Sequence, residues 1–176
     1  MDPNQTKTKT FPAITKILLL LLVVAVATFG IAWIIQAKPP QKASIGSSGV
    51  LPEKNHQLTV PIVIDTAGQT MNAAEVQLAF DPKLVEVVRV GKERSLFKIW
   101  IEGHPKFSNI SGTISFAGGV MSPGFSGKAQ IGTVTLRSKQ ALRTELRFAA
   151  GTQILLNDGK GTAVPLELKP IQLDLP

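Results

Sequence analysis

The chain contains no cysteine among its 176 residues, which excludes both a disulfide framework and a zinc site with thiolate ligands. Only two histidines are present, His56 and His104, and they lie far apart in the sequence. A zinc site therefore lacks a plausible set of ligands. A domain without cross-links must be stabilised by its core alone, and about 130 residues suffice for such a core.

Catalytic motifs are also missing. The many serines include no G-x-S-x-G elbow, and neither histidine is accompanied by a convincing nucleophile and acid. The Asp and Glu residues mostly alternate along predicted strands, where solubility explains them. We therefore expect a protein that is not an enzyme and that has no metal and no cofactor.

The net charge of +7 is unevenly distributed. Five lysines flank one apolar segment, at positions 7, 9, 16, 38 and 42, whereas residues 52–176 contain fourteen Lys/Arg against eleven Asp/Glu. No basic helix or aromatic–basic strand is apparent. The basic excess indicates membrane flanks, and we expect no nucleic-acid binding.

Residues 17–35 are nineteen residues without a charge. As a helix they would extend about 29 Å, close to the hydrocarbon thickness of a bilayer. Trp33 lies near the far end, where an indole suits the membrane interface. The run is longer than a signal-peptide core, and Ile35 is too bulky for a cleavage site of the A-x-A type. We predict an uncleaved signal anchor at 17–37, with cleavage as the alternative.

The lysine-rich start predicts a cytoplasmic N-terminus and an extracytoplasmic C-terminal domain in a single-pass protein of the cell membrane. Five parts follow from this: a cytoplasmic tail at 1–16, the transmembrane anchor at 17–37, a stiff linker at 38–42, a β-domain at 43–170, and a tail or extra strand at 171–176. The linker is so short that the domain would sit close to the membrane.

The clearest strand pattern lies in residues 71–90. Its apolar and polar side chains alternate, with Val76, Leu78 and Phe80 inward and Glu75 and Gln77 outward. Asp81-Pro82 then predicts a corner before a second apolar run. Similar short runs follow, and Pro61 predicts that the strand at 58–65 lies at an edge. The expected fold is all-β, a two-sheet jelly-roll sandwich of about nine strands.

The sequence leaves two segments with alternative interpretations. Residues 91–107 contain SLFKIW, whose apolar spacing fits either a helical turn or an extended piece. Residues 157–162 contain Asn-Asp-Gly, which is typical of a hairpin turn and lacks the repeated acidic ligands of an EF-hand. A turn is the preferred interpretation there, and calcium binding is the alternative.

Several of these motifs together resemble the cohesin family. They are AAEVQLAFDPKLVEVVRV, FSN at 107–109, GTISFAGG at 112–119, TVTLRSK at 133–139, ELRFAAG at 145–151 and LLNDGKGT at 155–162. The resemblance covers roughly residues 43–170. It implies a nine-stranded jelly roll related to certain carbohydrate-binding modules. It also implies non-covalent protein attachment, typically to a dockerin.

The resemblance also implies where a partner would bind. Dockerin-binding cohesins present an asparagine and an acidic residue on the strand before Asp-Pro, and these positions correspond here to Ala73 and Glu75. A further acidic position, just after the strand at 113–117, corresponds to Gly118. With Gln77 these residues form the predicted partner-binding set, in which Glu75 retains the acidic group and the other two polar positions differ.

Carbohydrate binding at the cell surface is an alternative function, since aromatic rings stack on sugars. Trp100 and Phe107 could form such a platform, although core positions are favoured for both, and Phe125 in PGFSG is the best candidate for an exposed ring. A third alternative is a structural envelope protein without a dedicated ligand.

Overall fold

The computed structural model describes residues 42–53, 55–141 and 143–175. Within these ranges no helix is long and apolar enough to cross a bilayer. The predicted anchor at 17–37 and the tail at 1–16 lie outside them. The described chain forms thirteen β-strands: β1 (Ala43–Ser47), β2 (Leu51–Pro52), β3 (Gln57–Asp65), β4 (Met71–Ala79), β5 (Val85–Gly91), β6 (Ile99–Trp100), β7 (Lys106–Ser108), β8 (Thr113–Gly119), β9 (Lys128–Ser138), β10 (Arg143–Phe148), β11 (Gln153–Leu156), β12 (Leu166–Leu168) and β13 (Ile171–Asp174).

The strands form two sheets, which confirms the predicted all-β sandwich. The six-stranded sheet has the order β12-β1-β3-β9-β5, and β2 also pairs with β3. The seven-stranded sheet has the order β13-β10-β4-β8-β6, with β11 on β4 and β7 on β8. All described pairings are antiparallel except that of β1 with β12.

The core lies between the sheets and is built from the inward residues of alternating strands. In β4 these are Val76 and Leu78, in agreement with the predicted period of two, and Phe80 just after the strand is also buried. Phe116 of β8 has no exposed surface and is the largest fully buried side chain. The Asp81-Pro82 corner is also as predicted, because Asp81 accepts a hydrogen bond from the Lys83 N–H at 2.8 Å.

The prediction that Pro61 marks an edge strand is wrong. β3 lies inside its sheet, between β9 on one side and β1 and β2 on the other. β1 pairs with Ile62–Asp65 and β2 with Leu58 and Thr59, so Pro61 falls in the gap between these two neighbours. Proline lacks an N–H donor, and neither β1 nor β2 pairs with Pro61 at this gap.

The structure has more strands than the nine expected because several are very short. The undecided segment 91–107 contains β6 and the start of β7, both paired with β8, and is therefore extended at these two places. The undecided tail contains β13, which pairs with β10. Two or three residues without a clear alternation give too little signal for sequence-based assignment.

One side chain closes the open edge where the two sheets meet. Asn109 follows β7 of the seven-stranded sheet and reaches β5 of the other sheet. Its Oδ1 accepts a hydrogen bond from the Val87 N–H at 2.7 Å, and its Nδ2 donates to the Val87 carbonyl at 3.0 Å. β5 is an edge strand with an irregularity between Val87 and Arg89. Asn109 thus satisfies backbone groups that an edge strand otherwise leaves unpaired.

Asn109→Ala removes both hydrogen bonds and leaves the Val87 N–H and carbonyl without their partner. We expect the free energy of unfolding to fall by about 1–3 kcal/mol, the cost of unsatisfied, part-buried polar groups. Chemical denaturation of the full chain measures this loss. Asn157→Ala is the matched control, since Asn157 is exposed and its side chain makes one hydrogen bond, to the Pro123 carbonyl. Equal losses in both variants would contradict the role of Asn109.

Candidate functional site

The outer face of the seven-stranded sheet carries the predicted partner-binding strand. Ala73, Glu75 and Gln77 are half-buried on β4 and alternate with the buried residues Ala74 and Val76. Successive side chains of a strand point to opposite faces, so these three share the outer face, as predicted.

Register places two rows of residues across four neighbouring strands of this face. In the first row Leu155 of β11 pairs with Ala73, Ala73 with Gly119, and Gly119 with Ile99 of β6. In the second row Gln153 pairs with Glu75 and Glu75 with Ala117, and the Ile101 N–H donates to the Ala117 carbonyl at 3.1 Å. Each row therefore has larger side chains at its two ends and, apart from Glu75, small residues between them.

The two rows form a depression of about 350 Å³ that we call the trough. Its walls and floor are formed by Ile99, Ile101, Gln153 and Leu155 at the sides and by Ala73, Glu75, Ala117 and Gly119 below. The walls are three strand spacings apart, about 14 Å. Ile99 and Ile101 are 51% and 52% exposed, which is unusual for isoleucine in a strand region.

A hydrogen-bond network fixes the single carboxylate of the trough. Glu75 accepts a hydrogen bond from Gln77 Nε2 at 2.7 Å on one oxygen and from Gln153 Nε2 at 3.2 Å on the other. Gln77 also donates to Ser115 Oγ at 2.9 Å. Among the described residues no Lys or Arg forms an ion pair with Glu75. The side chain is therefore oriented by neutral amides, and its negative charge is not compensated by a neighbouring cation.

The backbone of Gly118 lines the trough, but a Cβ at this position would point to the opposite side from the side chains of the other predicted contacts. Gly118 is buried, and a Cβ at this position would lie 2.5 Å from the ring of Phe97 and 2.8 Å from the Ile99 carbonyl. β8 continues to Gly119, so Gly118 is an inward position of the strand. The expectation of a side-chain contact at position 118 is wrong, since a side chain there would enter the core, and only the Gly118 backbone is available to a partner.

The three aromatic candidates do not share one outer surface. Trp100 packs edge-on against Phe97, with ring centroids 5.5 Å apart, and also lies beside Phe116. Phe125 is half-buried against the core, contrary to the expected exposed ring, because its backbone N–H and carbonyl both bond to Met71. Phe107 is 45% exposed, contrary to the core position favoured for it, because β7 lies at a sheet edge.

The segment 157–162 forms a tight turn. Asp158 accepts hydrogen bonds from the Thr162 hydroxyl and, at 2.9 Å, from the Lys160 N–H. These two bonds lower the pKa of the Asp158 carboxyl below its ordinary value. Within the described ranges no group of three His, Asp or Glu residues is arranged to hold a metal ion. The Asp158 carboxylate serves to close the turn.

Cohesins are among the solved structures that are similar to this domain. No family model and no curated protein matches the sequence. The cohesin of a type I cohesin–dockerin complex from Clostridium thermocellum aligns with 76% of this chain and 99% of its own, at a TM-score of 0.61 and 10% identity. A cohesin from Clostridium acetobutylicum aligns with 77% of this chain and 91% of its own, at a TM-score of 0.59 and 13% identity.

The same likeness extends to an archaeal protein outside cellulosomes. The non-cellulosomal cohesin of Archaeoglobus fulgidus aligns with 75% of this chain and 91% of its own, at 20% identity and a TM-score of 0.52. The described domain has the cohesin fold. Sequence identity of 10–20% to these cohesins supports a shared fold but does not identify a binding partner. A partner has to be inferred from the geometry of the site.

Sequence reasoning missed the walls of the trough in this cohesin-like domain. Ile99 and Ile101 were in the undecided segment, although their spacing of two around the inward Trp100 is itself a strand signal. Gln153 and Leu155 lay in a predicted strand, but only register shows that they flank Glu75 and Ala73.

Gly118→Asp would restore the acidic residue that the family resemblance implies. Because the new carboxylate enters the core beside Phe97, we expect a loss of at least about 3 kcal/mol in the free energy of unfolding, typical of an uncompensated buried charge. Gly46→Asp is the matched control, since that strand glycine has open space around it. Thermal unfolding compares the two, and a stable Gly118→Asp variant would show that Gly118 faces outward.

Proposed function

We propose that this cohesin-like domain is a protein-attachment module that binds a helix of an exported partner in the trough. The observation that carries the proposal is the pair of rows in which small residues lie between Ile99 and Ile101 on one side and Leu155 on the other. A contiguous apolar depression on an otherwise polar sheet face is typical of a protein interaction site.

The dimensions of the trough fit a helix. An α-helix with its side chains is about 10–12 Å wide, and the walls are about 14 Å apart. Ala73, Ala117 and Gly119 on the floor allow the helix to approach the sheet closely. A helix that lays its apolar face into such a groove is a recurrent mode of recognition.

Glu75 indicates which chemical group the partner would present to the trough. Its carboxylate lies in the trough without a cation, held by Gln77 and Gln153. A Lys or Arg on the bound helix would compensate this charge, and the binding energy would include a charge-assisted hydrogen bond. The partner helix should therefore be apolar on the side that faces the trough and basic where it meets Glu75.

Dockerins are the first class of partner to test. Cohesin–dockerin complexes occur among the similar structures. Of the three polar contacts that the family resemblance implies, only Glu75 is available here, because Ala73 lacks a polar group and Gly118 faces the core. Recognition would therefore depend more on apolar packing than on polar contacts.

These similar modules are binding proteins, which also supports a function other than catalysis.

The site of action is part of the proposal. The apolar run at 17–35 and its lysine flanks support a single-pass anchor with the domain on the extracytoplasmic side. A module displayed in this way would attach its partner to the cell surface.

Glu75→Arg should abolish attachment while leaving the domain folded. The substitution replaces the oriented carboxylate with a positive charge, which would repel the cation of the partner helix. We expect affinity to fall at least about thirtyfold, since breaking a buried charge contact costs about 2 kcal/mol or more. Biolayer interferometry with the full chain in detergent and a panel of dockerin modules measures the affinity.

Glu167→Arg is the control, since Glu167 is exposed on the six-stranded sheet and changes the net charge by the same amount. It should bind like the wild-type chain, and thermal unfolding should be unchanged in both variants. Equal affinity of Glu75→Arg and wild type for the same dockerin would contradict the assignment of the trough as the binding site. Absence of binding to the whole panel would remove dockerins as the partner class.

The absence of cysteine makes the predicted topology directly measurable. Lys83→Cys, in the exposed turn between β4 and β5, should react with a membrane-impermeant maleimide on intact cells. Lys7→Cys, in the predicted cytoplasmic tail, should react only after the membrane is permeabilised. Labelling of Lys7→Cys on intact cells, or protection of Lys83→Cys, would contradict the proposed orientation.

A further inference from the structure

One end of the sandwich collects exposed basic residues. We call it the basic end and define it by five side chains: Lys42, Arg94, Lys98, Lys128 and Lys160. Each of them is exposed. Within the described ranges none of the five forms an ion pair.

Register brings these residues to the same end. On the six-stranded sheet Ser44, Asp65 and Lys128 form one row, so Lys128 lies level with the start of β1 and with Lys42 beside it. The Leu96 N–H donates to the Gln130 carbonyl at 2.8 Å, which places the turn containing Arg94 at this end as well.

The seven-stranded sheet contributes the other two basic residues. The Lys98 N–H donates to the Gly119 carbonyl at 3.0 Å, at the end of β8. The turn of Lys160 is tied to the same end because Asn157 Nδ2 donates to the Pro123 carbonyl at 2.8 Å. The basic end therefore spans both sheets.

Acidic residues near the basic end are already engaged. Asp65 accepts the Ala67 N–H at 3.0 Å, and Asp158 closes its own turn. Glu93 pairs with Arg89, and Glu167 pairs with Lys169. The five residues of the basic end, together with Arg89 and Lys169, carry seven positive charges, and these four acidic residues carry four negative charges. The excess is three positive charges. At the opposite end, among the residues that the structure describes, the exposed Lys83 and Lys139 are accompanied by the exposed Glu53 and Asp81.

We propose that the basic end contacts the surface of a bilayer that contains anionic lipids. The inference rests on the proposed membrane display. If residues 17–37 span the bilayer, the linker at 38–42 reaches at most about 18 Å, and it joins the domain at Lys42, within the basic end. Basic residues next to a membrane are attracted to anionic headgroups, by about fivefold in affinity per residue.

This contact sets the orientation of the trough. The strands run between the basic end and the opposite end, so a domain resting on its basic end has its strands along the membrane normal. The trough then opens sideways, parallel to the bilayer, and remains accessible to a partner while the basic end is covered.

The test uses the full chain in lipid nanodiscs, labelled with a fluorophore at Met121→Cys, a position that is 66% exposed in the loop after β8. Energy transfer to an acceptor on lipid headgroups reports the proximity of this end. We expect higher transfer in discs with 30% phosphatidylglycerol than in pure phosphatidylcholine. The difference should vanish at about 1 M salt, where the Debye length is about 3 Å.

Lys98→Glu/Lys128→Glu should shift the equilibrium away from the surface by at least about 25-fold and reduce the transfer to the phosphatidylcholine value. The matched control is Lys83→Glu/Lys139→Glu at the opposite end, which should keep the wild-type transfer. Equal transfer in both lipids, or no effect of Lys98→Glu/Lys128→Glu, overturns the proposal. Failure of the labelled chain to associate with either kind of disc would instead contradict the membrane anchor.

Discussion

The pairing of β4 with β8 is the interaction on which both the fold and the site depend. Seven residue pairs, from Ala73–Gly119 to Ala79–Thr113, run in unbroken register at the centre of the seven-stranded sheet. On one side this ladder places Val76 beside Phe116 in the core, and on the other it places Glu75 beside Ala117 in the trough. A slip of one residue would exchange the two faces, so the hydrophobic core also fixes which side chains line the trough.

The trough shows how this sheet departs from an ordinary solvent-facing surface. Small residues on its floor contribute little to the stability of the domain, and two isoleucines at its wall are half exposed. Neither feature helps the isolated domain fold. Both support the proposed binding of an apolar helix, because Ile99 and Ile101 would then be buried. The amide-held Glu75 adds orientation, since neutral donors fix its position without neutralising it.

The long strands of the sandwich were predictable from the sequence because alternation is a local property. Val76 and Leu78 point inward for the same reason that Glu75 and Gln77 point outward, and no distant residue is needed to see it. The C-terminal end of β8 was harder to predict, since glycines have no side chain that could show an alternating pattern. The strand is two residues longer than expected, and Gly118 is therefore an inward position of the strand.

Features that depend on pairing between distant segments could not be predicted. Pro61 is tolerated inside a sheet because two separate strands meet beside it, and Phe125 is held against the core by the backbone of Met71. The trough likewise exists only because four strands distant in sequence align Leu155, Ala73, Gly119 and Ile99. One of its walls consists of Ile99, from the two-residue strand β6, and Ile101, which follows that strand.

The parallel pairing of β1 with β12 has a consequence for the order in which the domain can assemble. β1 comes first among the strands of the domain, yet one of its two neighbours is made of residues 166–168. Ala43 and Ile45 are buried, and Leu166 packs on the same core. During synthesis the first strand therefore emerges well over a hundred residues before its last neighbour. The six-stranded sheet can be completed only when nearly the whole domain has left the ribosome.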